Sequence, residues 1–118
     1  MPLLIALAMS CYAIDGDTLR CGAERIRLLG IDAPEMPGHC RTGRDCAPGD
    51  PWRSKATLAA AIQTGPLRVN RIGSDRYGRT LALVYAGRLN LSCYQLRARA
   101  AVYKPHWDNG RRLARECP

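Results

Sequence analysis

A chain of 118 residues suits one domain, and its 47% hydrophobic content argues against disorder, although with no Phe and 6% aromatics the core must be mostly Leu, Ile, Val and Ala. The net charge of +8 sits in one half: residues 1–65 carry 7 Lys/Arg against 7 Asp/Glu, and residues 66–118 carry 11 against 3. Sixteen of the 18 cations are Arg, whose rigid fork matches phosphate oxygens two at a time, so an anionic polymer or nucleotide partner fits better than a merely solvated basic surface.

Residues 1–10 form a short apolar segment without a positive leading charge, read as a remnant of an export signal or as a first strand. Residues 11–118 are expected to form one domain. No stretch is long enough to span a membrane, and a monomer is expected. Tyr12-Ala13-Ile14 enters a turn at Asp15-Gly16-Asp17, and Thr18 to Cys21 leaves it; Gly beside Asp is the chemistry of a tight hairpin. A second turn, 21–24, leads into Arg25-Ile26-Arg27-Leu28, whose alternation puts Arg25 and Arg27 on one face. Residues 36–50 read as a loop. Asp50-Pro51 reads as an N-cap followed by Pro at the first helical position, with good helix formers from Lys55 to Ile62 and a stop at Thr64-Gly65-Pro66. Leu67, Val69 and Ile72 mark a strand, 75–79 a turn, 80–85 a strand and 90–98 a short helix; 105–118 reads as an irregular basic tail. The expected fold is mainly β within the α+β class: a small five-stranded OB-type barrel with about three flanking helices.

Six cysteines in so short a chain favour disulfides and an oxidising compartment, secreted or periplasmic. Fifteen pairings are possible, and three are geometrically reasonable. Cys11 and Cys21 lie symmetrically about Asp15-Gly16-Asp17, Cys40 and Cys46 bracket one loop, and Cys93 and Cys117 remain.

Chemistry concentrates in Asp17, Asp32 and Glu35. Asp32 follows the apolar run 28–31 where a strand ends, and Glu35 lies three residues on, across a Pro that fixes the bend. Any one of these is ordinary as a surface charge; together they supply hard oxygen ligands for Ca²⁺ or Mg²⁺. Phosphodiester hydrolysis needs charge neutralisation, a positioned water and help for the leaving oxygen. Arg27 and Arg79 with a divalent cation can neutralise charge, and Glu35 can direct the water. Gly78 permits a backbone angle that aims Arg79 inward.

The runs AIDGDTLRCGAERIRLLGIDAPE, SDRYGRTLALVYAG and AVYKP, spanning about 12–105, resemble the thermonuclease (staphylococcal nuclease-like) family. The resemblance implies an OB barrel with three helices, and Ca²⁺-dependent cleavage of DNA and RNA by attack on phosphorus, leaving a 3′-phosphate. By the same resemblance Asp17 and Asp32 are Ca²⁺-ligating carboxylates, with Ala33 supplying a backbone carbonyl where the family often has Thr. Arg27 and Arg79 match phosphate-binding residues, Glu35 the residue acting on water, and Tyr77 a phosphate contact with Arg76 beside it.

Two departures stand out. The segment after Glu35 is rewritten around Cys40 and Cys46, and Ala101 stands where a base-stacking Tyr is expected, a loss of ~1–3 kcal/mol in stacking. Tyr103 is retained nearby as a candidate substrate contact. Arg99 falls at a helix end where Gly is expected. Two other readings compete: an inactive OB module binding nucleic acid or protein, and a zinc site on His39, Cys40 and Cys46, whose spacing matches no common zinc pattern. His106 and Trp107 read as packing or exposed side chains, with His106 a candidate substrate contact.

Overall fold

The computed structural model describes residues 10–118; apart from Ser10, the apolar opening segment lies outside the described residues. An antiparallel meander begins the fold: β1 (Cys11–Asp15), β2 (Thr18–Cys21) and β3 (Glu24–Leu28). The register opposes Cys11 to Cys21 and Thr18 to Arg27. After the short β4 (Ile31–Asp32) comes a long loop, then α1 (Pro51–Ala61). A hairpin follows, β5 (Leu67–Ser74) and β6 (Thr80–Ala86), then β7 (Leu89–Asn90), α2 (Leu91–Arg97), β8 (Val102–Tyr103) and α3 (Arg112–Glu116).

β6 joins the meander through a parallel ladder with β3, so the five-strand path is β1-β2-β3-β6-β5. β7 pairs with β6, and β4 pairs with β8 separately. The class is α+β, with strands in sheets and three helices, as expected. β6 is the central strand, and its apolar run Leu81-Ala82-Leu83-Val84 fits burial on both faces. It packs with Leu19, Ile26, Leu28, Leu29, Ile31, Leu58, Leu91 and Leu113 into one aliphatic cluster without any Phe.

α1 starts where its cap chemistry dictates. The Asp50 carboxylate accepts from the Trp52 and Arg53 N–H groups at 2.9 and 3.3 Å, and Pro51 occupies the first turn. The helix therefore begins at Pro51, where the Asp50-Pro51 pair places it. It packs so closely on the first hairpin that a Cβ at Gly16 would meet Ser54 Oγ at 1.7 Å. Buried Gln95 on α2 locks that junction: its Nε2 donates to Gly16 O at 2.8 Å and to Ser54 O at 3.0 Å.

Disulfides join Cys11 to Cys21, Cys40 to Cys46 and Cys93 to Cys117. The last of these contributes to a correction, because 105–118 is ordered rather than irregular. Two 3₁₀ turns, Pro105–Trp107 and Asn109–Arg111, lead into α3. The fully buried Asp108 organises them, accepting from Leu113 N at 2.6 Å, Ala114 N at 2.9 Å and the Tyr103 hydroxyl at 2.6 Å.

Candidate active site

The first hairpin turn puts Asp17 against the start of the loop after β4. One Asp17 oxygen accepts from the Ala33 N–H at 2.8 Å, and the other accepts from the Thr18 hydroxyl at 2.8 Å. Arg27, opposite Thr18 in the ladder, brings its Nη1 to 2.7 Å from Asp17 and its Nη2 to 3.5 Å from Asp32. All three side chains are buried, and among the described residues one Asp32 oxygen, Oδ2, has no hydrogen-bond partner.

Burial sets the electrostatics of this cluster. It pushes the Asp15 carboxyl up to about 7, with the charge of Asp17 adding to the effect. Asp32 also rises, through burial and then through Asp17, with Arg44 and Arg27 opposing. Burial alone would raise Asp17 too, but Arg27 and hydrogen bonds from Asp15, Ala33 and Thr18 outweigh it and hold the carboxyl below its ordinary value.

A cleft of ≈ 840 Å³ opens beside these groups. Its walls include Asp15, Asp17, Arg25, Arg27, Glu35 and Arg79, so the charges expected to act on phosphate and water face one space. Arg79 is aimed by its own turn. Asp75 accepts from the Tyr77 and Arg79 N–H groups at 2.9 and 3.0 Å, and its second oxygen takes the Arg79 Nε at 2.7 Å. Gly78 adopts φ +79°, the left-handed conformation the turn needs. Tyr77 stands on the rim, with the guanidinium groups of Arg41, Arg76 and Arg79 within 5.6 Å of its ring. Arg76 donates to its hydroxyl at 2.8 Å, and Arg25 donates to its carbonyl at 2.5 Å.

Residues 25–114 match the family of staphylococcal nuclease homologues. The chain belongs to that family. The family's domain is an OB-fold, in keeping with the meander, parallel crossing and hairpin described above. Among its relatives, an uncharacterized endonuclease of Haemophilus influenzae is 39% identical over 83 residues, covering 66% of this chain and 41% of that protein. A thermonuclease of Staphylococcus intermedius is 34% identical over 105 residues, 79% of this chain and 58% of that one. A succinoglycan biosynthesis protein, ExoI, of Rhizobium meliloti is 37% identical over 71 residues, 56% of this chain and 35% of that one. The chain thus spans about a third to three-fifths of the length of these curated relatives.

Family membership raises the question of whether a hard divalent cation suits this cluster. Among the described residues, no three His, Cys, Asp or Glu side chains converge as a metal cage. The donor chemistry nevertheless fits: the charge of Asp17 makes Asp32 costlier to ionise, and among the described residues Asp32 Oδ2 is buried without a partner. Two carboxylates, with backbone carbonyl, water and substrate oxygens completing the shell, suit Ca²⁺ or Mg²⁺ better than a softer metal.

Sequence reasoning missed four contributors. Arg44, inside the Cys40–Cys46 ring, donates its Nη1 to Glu35 and its Nη2 to Asp32 at 3.1 Å. Trp107 lines the cleft, 38% exposed, with its ring 5.4 Å from the Arg27 guanidinium. Asp75 orients Arg79, and Asp15 lines the cleft beside Asp17. The signal for Arg44 was its position in a Cys-bounded loop directly after Glu35. Tyr103 is placed apart from the others: it pairs with Ile31 and donates to Asp108, and it is not among the cleft-lining residues. His106 does line the cleft, whereas Ala101 is buried in the core. Cys40 and Cys46 are joined to each other, which removes them as thiolate ligands for zinc.

Proposed function

We propose that this chain is a Ca²⁺-dependent nuclease hydrolysing phosphodiester bonds of DNA, RNA or both. The observation that carries the reading is the convergence of Arg27, Arg79 and Glu35 on one cleft beside the buried Asp17–Asp32 pair. A divalent cation held there by Asp17, Asp32 and the Ala33 carbonyl would neutralise charge on the scissile phosphate. Arg27 and Arg79 donate to its non-bridging oxygens, where negative charge grows as the pentacoordinate phosphorane forms. Glu35 accepts a proton from the water that attacks phosphorus. The P–O5′ bond then breaks and the departing O5′ takes a proton from solvent water, leaving a 3′-phosphate and a 5′-hydroxyl. Arg76 and Tyr77 on the rim bind the neighbouring phosphate. The three disulfides support action outside the cytoplasm, secreted or periplasmic.

The test is direct. Purified protein should cleave single-stranded DNA or RNA with added Ca²⁺, stop in chelator, and lose most activity as Glu35→Gln. Cleavage that persists in chelator, or full activity in the Gln variant, overturns the mechanism. Tight nucleic-acid binding with no cleavage at any cation concentration would instead identify a binding module.

A further inference from the structure

The rewritten loop after Glu35 places a positive charge where carboxylates would otherwise face one another. Cys40 and Cys46 close a small ring, tightened by the Arg44 N–H donating to Arg41 O at 3.1 Å. From that ring the Arg44 fork spans two acids, Nη1 on Glu35 and Nη2 on Asp32 Oδ1. Asp32 is 1% exposed, so Arg44, with Arg27, supplies most of the positive charge it meets. Arg44 itself is 36% exposed at its side chain, so it has room to withdraw toward the cleft. Arg41, the other guanidinium of the ring, makes no such contact and lies over the Tyr77 ring at 5.6 Å.

A guanidinium and a divalent cation compete for the same carboxylate oxygens. We propose that Arg44 is a tethered counterion of the Asp32–Glu35 pair, displaced when a divalent cation binds, and that the Cys40–Cys46 ring sets how strongly it competes. The inference rests on the cation-dependent reading above. Displacement frees Glu35 from its guanidinium partner, leaving the carboxylate open to water. It also leaves the fork of Arg44 within the cleft, where a phosphodiester is the matching acceptor. Closing the ring keeps Arg44 at high effective concentration beside its acids; opening the ring lets it wander and weakens the competition.

The experiment is a calorimetric titration of Ca²⁺ into the disulfide-bonded protein and into variants, each first confirmed as folded by circular dichroism. Arg44→Gln should bind Ca²⁺ on the order of tenfold more tightly than the unaltered protein, the size of effect expected when a half-buried ion pair stops competing. Arg44→Lys, which keeps the charge but loses the fork, should fall between the two and substitutes for the Gln variant if that one does not fold. The double variant Cys40→Ser/Cys46→Ser should tighten binding a few-fold. Arg41→Gln removes the same charge from the same ring and should change affinity less than about twofold. Equal or weaker binding in Arg44→Gln overturns the proposal, and so does an equal gain in Arg41→Gln, which would reveal only a general charge effect. If the unaltered protein binds and cleaves with Ca²⁺ while Arg44→Gln shows no gain, the counterion role alone falls. If no form binds Ca²⁺ at millimolar concentration, the cation-dependent reading falls with it.

Discussion

Arg27→Gln is the sharpest perturbation of the buried charge cluster, because Arg27 holds Asp17 at 2.7 Å and approaches Asp32 at 3.5 Å. Removing one partner of a buried ion pair costs about 3–5 kcal/mol, since the remaining charge stays out of water. Here the lower end applies. Asp17 keeps the Ala33 N–H and the Thr18 hydroxyl, and Asp32 keeps Arg44. A loss of about 3 kcal/mol in a domain of this size lowers Tm by roughly 12 °C. The assay is thermal unfolding followed by circular dichroism, first in chelator and then with millimolar Ca²⁺. Ligand bound only by the folded state adds stability by mass action. With Arg27 no longer sharing the Asp17 and Asp32 oxygens, Ca²⁺ should raise Tm more in the variant than in the unaltered protein. Under saturating Ca²⁺, where the variant is folded, kcat should still fall by about 10²–10³, the cost of losing one charged donor at the transition state. A stability loss below 1 kcal/mol in chelator, together with an unchanged Ca²⁺ response, would refute the electrostatic account of this cluster.

Three further outcomes follow from local geometry. Asp75→Asn removes the anchor of the Arg79 guanidinium, so kcat should fall about tenfold while denaturant unfolding changes by less than about 1 kcal/mol; steady-state kinetics beside urea titration checks this. Glu24 is held down at about 2 by hydrogen bonds from Arg71 and then Thr80. Because its folded value lies below the ordinary 4.5, the stability it contributes is present above 4.5 and lost as pH falls toward 2. Glu24→Gln should therefore cost up to ~1 kcal/mol at pH 7 and progressively less as pH falls toward 2, as read by urea unfolding across that range. Arg99→Gly should stabilise by about 0.5–1 kcal/mol, since Arg99 sits at φ +55° just past α2, where Gly adopts the left-handed conformation without strain. A melting temperature unchanged or lower in that variant would contradict the strain argument.

The parts of this fold that could be read from sequence are those governed by neighbouring residues. Asp15-Gly16-Asp17 states a hairpin, Asp50-Pro51 a helix start and Asp75 to Arg79 a turn, because each satisfies its own backbone locally. The hairpin then sets the Cys11–Cys21 pair without further information. What escaped reading depends on partners distant in the chain or in fold context. Asp108-Asn109-Gly110 looks like an exposed turn, yet Asp108 is fully buried and caps α3 while receiving Tyr103. Gln95 looks like an ordinary surface position of a short helix, yet it ties α2 to carbonyls of Gly16 and Ser54. Arg99 at its unfavourable angle becomes intelligible only with Arg53, which donates to the Ala98 carbonyl at 2.7 Å and to that of Arg99 at 3.5 Å. The same applies at the cleft. Trp107 reaches Arg27 only because β8, just before it in the chain, pairs with β4.

On the proposed reading, the arrangement of charge makes cation binding an exchange rather than a simple addition. Asp17 and Asp32 are buried and Asp15 and Glu35 half-buried beside the same cleft, and like charges so placed without compensation would oppose folding by several kcal/mol. The chain compensates internally: Arg27 covers Asp17, Arg44 bridges Asp32 and Glu35, and Asp15 is pushed up to about 7. The protein can therefore reach this fold with its own guanidinium groups in place of a metal, and on the proposed reading an arriving dication meets oxygens in use apart from Asp32 Oδ2. Fold stability and cation affinity then pull in opposite directions. A stronger internal counterion makes a firmer resting protein and a weaker cation site. The Cys40–Cys46 ring lies at the balance point, because it fixes the reach of Arg44 without contributing an oxygen ligand of its own.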